Sequence, residues 1–210
     1  MYHPNLLAHY RFESTQANLG IDASGNGNDG TVYGATQGIG QFGGGADFSV
    51  NDYIDLGNPA SLRFTDEFTI SLWAYPTIST SYRGIIAKGS NVPDYGIACD
   101  RSINGTNVFG RVTIGSTYFT TPSVNIGDDN WTHVCLTFSN QLLSLYIDGE
   151  LGSSVNTNAG SIRQSANSVT IGKNQINEYW NGSLDEVKIF NKAYDNLIDV
   201  NLLRNGQNPR

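Results

Sequence analysis

Oxygen-bearing side chains crowd one short stretch near the start of the chain, DASGNGNDGT, where Asp22, Ser24, Asn26, Asn28 and Asp29 alternate with glycines. Such residues tolerate left-handed backbone, and the stretch suits either a surface turn or an oxygen cage around a hard cation. Set against an EF-hand loop, Asp22, Ser24, Asn26 and Gly27 fill the first, third, fifth and sixth places, but the closing glutamate is replaced by Tyr33. A Ca²⁺ held here needs an acid from elsewhere in the fold. Asp185, in YWNGSLDEVKIFNKA, is the natural donor. Strand alternation predicts Leu184, Glu186, Lys188 and Phe190 on one face and Asp185, Val187 and Ile189 on the inward face. A carboxylate aligned with the core requires a partner, either a cation or turn amides.

Catalytic patterns are thin. Glycoside hydrolysis uses two carboxyl groups facing one sugar bond. The glutamates at 13, 67, 150, 178 and 186 have no acid two residues further on, so the paired acids of a glucanase strand are missing. His3, His9 and His133 lack metal-ligand spacing, and no G-x-S-x-G elbow or Cys/His pairing marks a nucleophile. The sequons at Asn104, Asn130 and Asn181 arise easily in an Asn-rich chain.

A reversible site for a hydroxyl-rich ligand needs an aromatic platform with amides, acids or arginine beside it, carried on loops. Three segments answer: SYRG with Tyr82 and Arg83; DRSINGTN with Asp100, Arg101 and Asn104; and KNQINEYW with Asn174, Asn177, Glu178 and Tyr179. Trp73 and Trp131 are expected in the core.

The elements that must position these residues are short alternating or β-branched runs, among them LLAHYRF, EFTISLWAY, YGIAC, GRVTIG, WTHVCLTF, LLSLYID and SVTIG. Each ends at Gly, Asn, Asp or Pro, which predicts an all-β, two-sheet antiparallel sandwich over residues 1–210 as one domain. Asp148-Gly149 predicts a tight hairpin. One short C-terminal helix is expected, capped by Asp195 and stopped by Gly206. Cys99 and Cys135 sit in strand-like runs and are expected as buried free thiols rather than a disulfide. A net charge of −7 without a Lys/Arg cluster excludes a nucleic-acid or anionic-membrane footprint, and no run is apolar enough for a membrane span. Sparse charge with abundant Asn, Ser, Thr, Gly and Tyr leans toward an extracellular setting. The single methionine, at the start of a chain without a signal peptide, suggests a domain cut from a longer secreted protein.

The order YRFE, DASGNGNDGT, GGGADF, YIDLG, FTISLWAYP, IIAKG, WTHVCLTF, LYIDGEL and GSLDEVKIF resembles the laminin-G-like, concanavalin A-like jelly-roll domains across nearly the whole chain. The resemblance implies a jelly roll that often carries a structural Ca²⁺. His133 and Lys88 fit family positions, which implies structural roles for both, and Trp180 falls where the family commonly has an aromatic residue and is discounted as a ligand contact. Carried over by position, the metal is expected among Asp22, backbone carbonyls near Gly25 or Asn28, and Asp185. It further implies a non-catalytic carbohydrate-binding, lectin-like module with a glycan partner. A protein-binding adhesion module and a glycan-degrading enzyme with an unrecognised acid pair are the alternatives.

Overall fold

The computed structural model describes residues 3–13, 18–77, 83–89, 92–174 and 176–209, with Arg101 in backbone only. Tyr82 therefore lies outside the described residues. In chain order the strands are β1 (Leu6–Tyr10), β2 (Thr31–Tyr33), β3 (Thr36–Ile39), β4 (Gly44–Phe48), β5 (Tyr53–Asp55), β6 (Phe68–Pro76), β7 (Arg83–Gly89) and β8 (Pro93–Ser102). There follow β9 (Gly105–Ile114), β10 (Thr117–Thr120), β11 (Val124–Gly127), β12 (Thr132–Ser139), β13 (Leu142–Ile147), β14 (Glu150–Asn156), β15 (Val169–Ile171), β16 (Gly182–Phe190) and the helix α1 (Leu197–Arg204).

They form two antiparallel sheets. Sheet A runs β14-β13-β12-β6-β16-β4-β3, with β1 also on β16, and sheet B runs β10-β9-β8-β7-β15-β5-β2, with β11 also on β9. The expected two-sheet jelly roll is thus observed. Alternation drives it: Ile70, Leu72, Val134, Leu136, Val187 and Ile189 from sheet A meet Ile54, Ile86, Ile97, Val108, Val112 and Ile171 from sheet B in one core. Cys99 and Cys135 are both free and buried, as expected.

Local turn chemistry holds the register. Asp148 and Gly149, at φ 50° and 90°, make the predicted two-residue hairpin, with Ile147 opposite Glu150. The helix starts one residue later than expected. Asn196 is its cap and accepts from the Asp199 amide at 3.0 Å, while the Asp195 carbonyl accepts from the Tyr146 hydroxyl at 2.7 Å. Gly206, at φ 75°, ends the helix: its amide reaches Leu203 and that of Gln207 reaches Leu202, a Schellman closure.

Strand β16 departs from the expected alternation. Asp185 faces Trp73 but Lys188 faces Ser71, so two residues oppose one across a bulge, with Glu186 at φ 49°. The extra residue moves Leu184 into the core beside Val187 and Ile189 and sends Asp185 to the outer face. That outer face of sheet A is sealed. α1 lies over it, Trp73 donates to the Arg204 carbonyl at 3.2 Å, and Lys188 donates to the Gly206 carbonyl at 2.8 Å. Val200 and Leu203 pack there against Leu6, Cys135, Tyr146, Phe190 and Tyr194.

Candidate functional site

Cross-strand register fixes what the outer face of sheet B presents, because residues directly opposite on antiparallel strands share a face. One row runs Thr120, Arg111, Gly96, Ala87, Thr170, Asp55 and Thr31. The adjoining row carries Phe109, Ala98 and Gly84 across β9, β8 and β7, with Tyr53 opposite Tyr33 on β5 and β2. Bulky aromatic side chains therefore stand at both flanks and only small ones between.

At the β5–β2 flank the rings are arranged as a platform. Tyr33 and Tyr53 stack with centroids 4.5 Å apart and planes 12° apart. The Lys173 ammonium sits 3.5 Å from the Tyr53 centroid and 5.9 Å from that of Tyr179. Tyr179 itself lies 6.3 Å from Tyr53. A ring and an ammonium this close cannot share one face, so Tyr53 is held between Tyr33 and Lys173. Burial lowers the Lys173 pKa, and the neighbouring Asp55 carboxylate opposes that shift. Tyr33 keeps 45% of its surface exposed.

The loop after β15 presents Tyr179 to this cluster. Asn174 organises it: its Oδ1 accepts from the amides of Ile176 and Glu178, both at 3.1 Å, and its amide group donates to the Glu178 carboxylate at 2.5 Å. Arg83 donates to the Tyr179 carbonyl at 2.5 Å, and the Gly84 amide to the Glu178 carbonyl at 3.1 Å. A side chain at Gly84 would strike the Lys173–Asn174 backbone. Two of the three predicted loops thus converge, with Asn174, Glu178 and Arg83 shaping the loop while Asn177 is exposed and Tyr179 half-buried.

The third predicted loop is the β8–β9 hairpin. Asn104 is exposed at its tip, with its amide on Ser102 Oγ at 3.2 Å. Asp100 lies further down, accepting from Asn107 at 3.0 Å, and Asn107 in turn accepts from Asn125 at 2.9 Å. Tyr33, Tyr53 and Lys173 were missed by sequence reasoning. The usable signal was the alternation in NDYID, which sets Tyr53 and Asp55 opposite the core residue Ile54. Of the tryptophans, Trp180 is in the core and Trp73 is buried beneath α1. Trp131 instead precedes β12, half-buried against Tyr75 at 5.6 Å.

The expected metal ligands do not form one set. Asp22 Oδ1 accepts from the amides of His9 and Ser24, both at 2.9 Å, and Oδ2 from Ser24 Oγ at 2.8 Å and the Asn28 amide at 3.0 Å. Asn28 donates to the Leu7 carbonyl at 2.7 Å and accepts from Ser61 at 2.8 Å, and Asn26 donates to the Leu6 carbonyl at 2.7 Å. Gly25 is exposed. The loop therefore pairs with the edge of β1, and the Asp22 carboxylate accepts four hydrogen bonds. Asp185 stands elsewhere, fully buried, accepting from the amides of Phe42 at 2.8 Å and Glu186 at 2.6 Å. Burial pushes its pKa to about 7. Across the glycine-rich turn that Phe42 belongs to, the Glu13 carboxylate accepts from the Gly44 amide at 3.2 Å. Among the described residues, no three His, Cys, Asp or Glu side chains are grouped to hold a metal.

His133 and Lys88 are structural, as expected. His133 is buried with Nε2 2.9 Å from Ser71 Oγ, and burial pushes its pKa down to about 3. Lys88 donates to Asn58 at 2.9 Å and to the carbonyls of Ser165 and Asn167 at 3.0 and 2.7 Å.

Two facing antiparallel sheets, one sealed by a helix and the other carrying aromatic side chains outward, define a jelly-roll β-sandwich. Within that class the chain belongs to the concanavalin A-like lectin/glucanases superfamily, whose family model matches residues 48–196. No curated protein matches it in sequence. Among solved structures it is similar to domain 4 of AbnA, a GH43 extracellular arabinanase from Geobacillus stearothermophilus, solved with arabinotriose: 22% identity, TM-score 0.74, covering 95% of this chain and 98% of that one. The binding domain of Paraclostridial Mosquitocidal Protein 1 aligns at 18% identity and TM-score 0.74, over 96% of this chain and 52% of its own. The botulinum neurotoxin serotype D ligand-binding domain, solved with N-acetylneuraminic acid, aligns at 18% identity and TM-score 0.73, over 97% and 51%. The chain spans about half the length of these two toxin domains. No helix among the described residues is long and apolar enough to cross a membrane.

Proposed function

We propose that this chain is a non-catalytic glycan-binding module serving an extracellular protein. The observation that carries the reading is the Tyr33–Tyr53–Lys173–Tyr179 cluster on the outer face of sheet B. Aromatic rings offer an apolar surface to the C–H face of a pyranose or furanose, and the ammonium supplies donors to its hydroxyls. The Lys173 ammonium makes no hydrogen bond or ion pair with another described residue, so those donors are available. The similar domains solved with arabinotriose and with N-acetylneuraminic acid support the same class of ligand.

The candidate acids are engaged in positioning. Glu178 is bonded to Asn174 and Asp100 to Asn107, whereas a glycosidase needs two carboxyl groups free to face one bond. A glycan array probed with the purified chain tests the reading: binding to at least one glycan class without turnover is expected, and turnover lost on replacing one loop acid would make the protein an enzyme.

Calcium belongs, in this reading, at Asp185 with Glu13 rather than at the Asp22 loop. A fully buried carboxylate with no cation at ion-pair distance among the described residues is stabilised by a hard cation, which also takes backbone carbonyls of the glycine-rich turn. Its role would be structural.

A further inference from the structure

Lys88 and Asp94 are both completely buried, an uncommon setting for charged side chains. Lys88, on β7, lies opposite Val169 on β15 and Tyr95 on β8, both core residues, so its side chain shares their inward face. Its ammonium ends 2.9 Å from Oδ1 of Asn58, in the segment after β5, and 3.7 Å from the Asp94 carboxylate. An amine, a side-chain amide and a carboxylate thus meet beside the core.

Each group is prepared for amide exchange. The Asn58 side-chain oxygen accepts from Arg63 Nε at 3.1 Å as well as from Lys88. Two cationic donors on one oxygen draw electrons from its carbon and stabilise an oxyanion forming there. The Asn58 amide nitrogen donates to no described residue, so nothing among them holds it back from leaving. The usual rival for an asparagine side-chain carbon is the backbone N–H of the next residue, and Pro59 has none.

The amine is held in place by the carbonyls of Ser165 and Asn167, at 3.0 and 2.7 Å. Burial lowers the Lys88 pKa, which favours the uncharged, nucleophilic form, while the Asp94 charge opposes that shift. Asp94 keeps partners of its own once the lysine charge is gone: it accepts from Arg163 Nε at 2.8 Å and from the Ser165 amide and hydroxyl at 2.8 and 2.7 Å.

We propose that Lys88 and Asn58 join in an intramolecular isopeptide bond, a self-formed cross-link between β7 and the segment after β5. Nζ of the uncharged amine bonds to Cγ of Asn58, and the Cγ–Nδ2 bond breaks. One Nζ proton, taken up by the Asp94 carboxylate, leaves with Nδ2 as ammonia. Amine plus primary amide gives secondary amide plus ammonia, so no oxidant, water or cofactor enters. The link ties residues 30 apart in sequence across β15. It constrains the unfolded chain as a disulfide would, in a fold whose two cysteines are free.

Peptide mapping of the wild-type chain by mass spectrometry, after incubation at neutral pH to constant mass, tests this. The intact mass is expected to fall below the sequence mass by one ammonia, with the Asn58 and Lys88 peptides recovered as a single branched peptide that reductant does not separate. Lys88→Met and Asn58→Ala are expected to keep the full sequence mass and to melt at a lower temperature. The wild-type map decides the matter even if neither variant folds. Separate Asn58 and Lys88 peptides at full mass overturn the cross-link. So does an ammonia loss confined to an Asn-Gly step, where a succinimide forms without joining two peptides. Either result leaves the glycan-binding reading standing.

Discussion

His133 shows how burial sets the chemistry of a single side chain in this fold. It is buried in sheet A with Nε2 on Ser71 and with no hydrogen-bond partner for Nδ1 among the described residues, and burial assisted by the nearby Lys188 and Arg204 charges lowers its pKa to about 3. The folded state keeps the ring neutral while the unfolded chain takes up a proton below about 6.5. The associated stability is therefore present above pH 6.5 and is lost as pH falls toward 3. Denaturant titrations at pH 7, 5.5 and 4.5 should show His133→Gln losing less stability on acidification than the wild type. Parallel losses would show that this ring does not titrate on unfolding. The family resemblance marked His133 as structural, since in WTHVCLTF it fits a strand position the family usually fills with His. The sequence also marked Tyr179, Asn177 and Asp100 as site candidates, but Tyr33 and Tyr53 lie twenty residues apart and meet only because β2 pairs with β5.

At the scale of elements, the bulge in β16 reorganises the most residues. Glu186 adopts φ 49° and turns its carboxylate to His9 at 3.0 Å, Lys188 at 3.1 Å and Arg11 at 3.7 Å. Burial alone would raise its pKa, but the His9 hydrogen bond and the Lys188 charge outweigh that and lower it. The N-terminal strand is thus joined to the last one by β1–β16 pairing and by this ion cluster. Alternation alone cannot reveal a bulge, because counting by twos assumes every residue is paired. The Asp148-Gly149 hairpin was legible because its backbone demand restricts residue type. The helix cap was legible only to within one residue, since Asp195 and Asn196 are both good caps. Asn196→Ala is expected to cost about 1 kcal/mol, read as a lower denaturation midpoint at unchanged slope. No loss would mean that α1 is held by its packing on sheet A and not by its cap.

For the whole molecule, the division of labour between the sheets matters most. Sheet A is closed outside by α1 and the segment after it, and sheet B presents the tyrosine platform. The two-sheet architecture was legible in turn-bounded alternation, whereas the assignment of roles to faces depends on which strands become neighbours, which no local pattern states. Calcium bound at Asp185 would act at this scale by holding the glycine-rich turn against β16. A cation bound only by the native state stabilises it by mass action. The melting temperature in millimolar Ca²⁺ should therefore exceed that in EDTA, and Asp185→Ala should abolish the difference. Equal melting temperatures would remove the cation from the account. The central claim is that the outer face of sheet B binds glycan. It is tested most directly by titrating the best ligand of the glycan array into the wild type and into a Tyr33→Ala/Tyr53→Ala variant of equal melting temperature. The account predicts that the double variant loses about ten-fold or more in affinity; undiminished binding would place the site elsewhere on the molecule and contradict it.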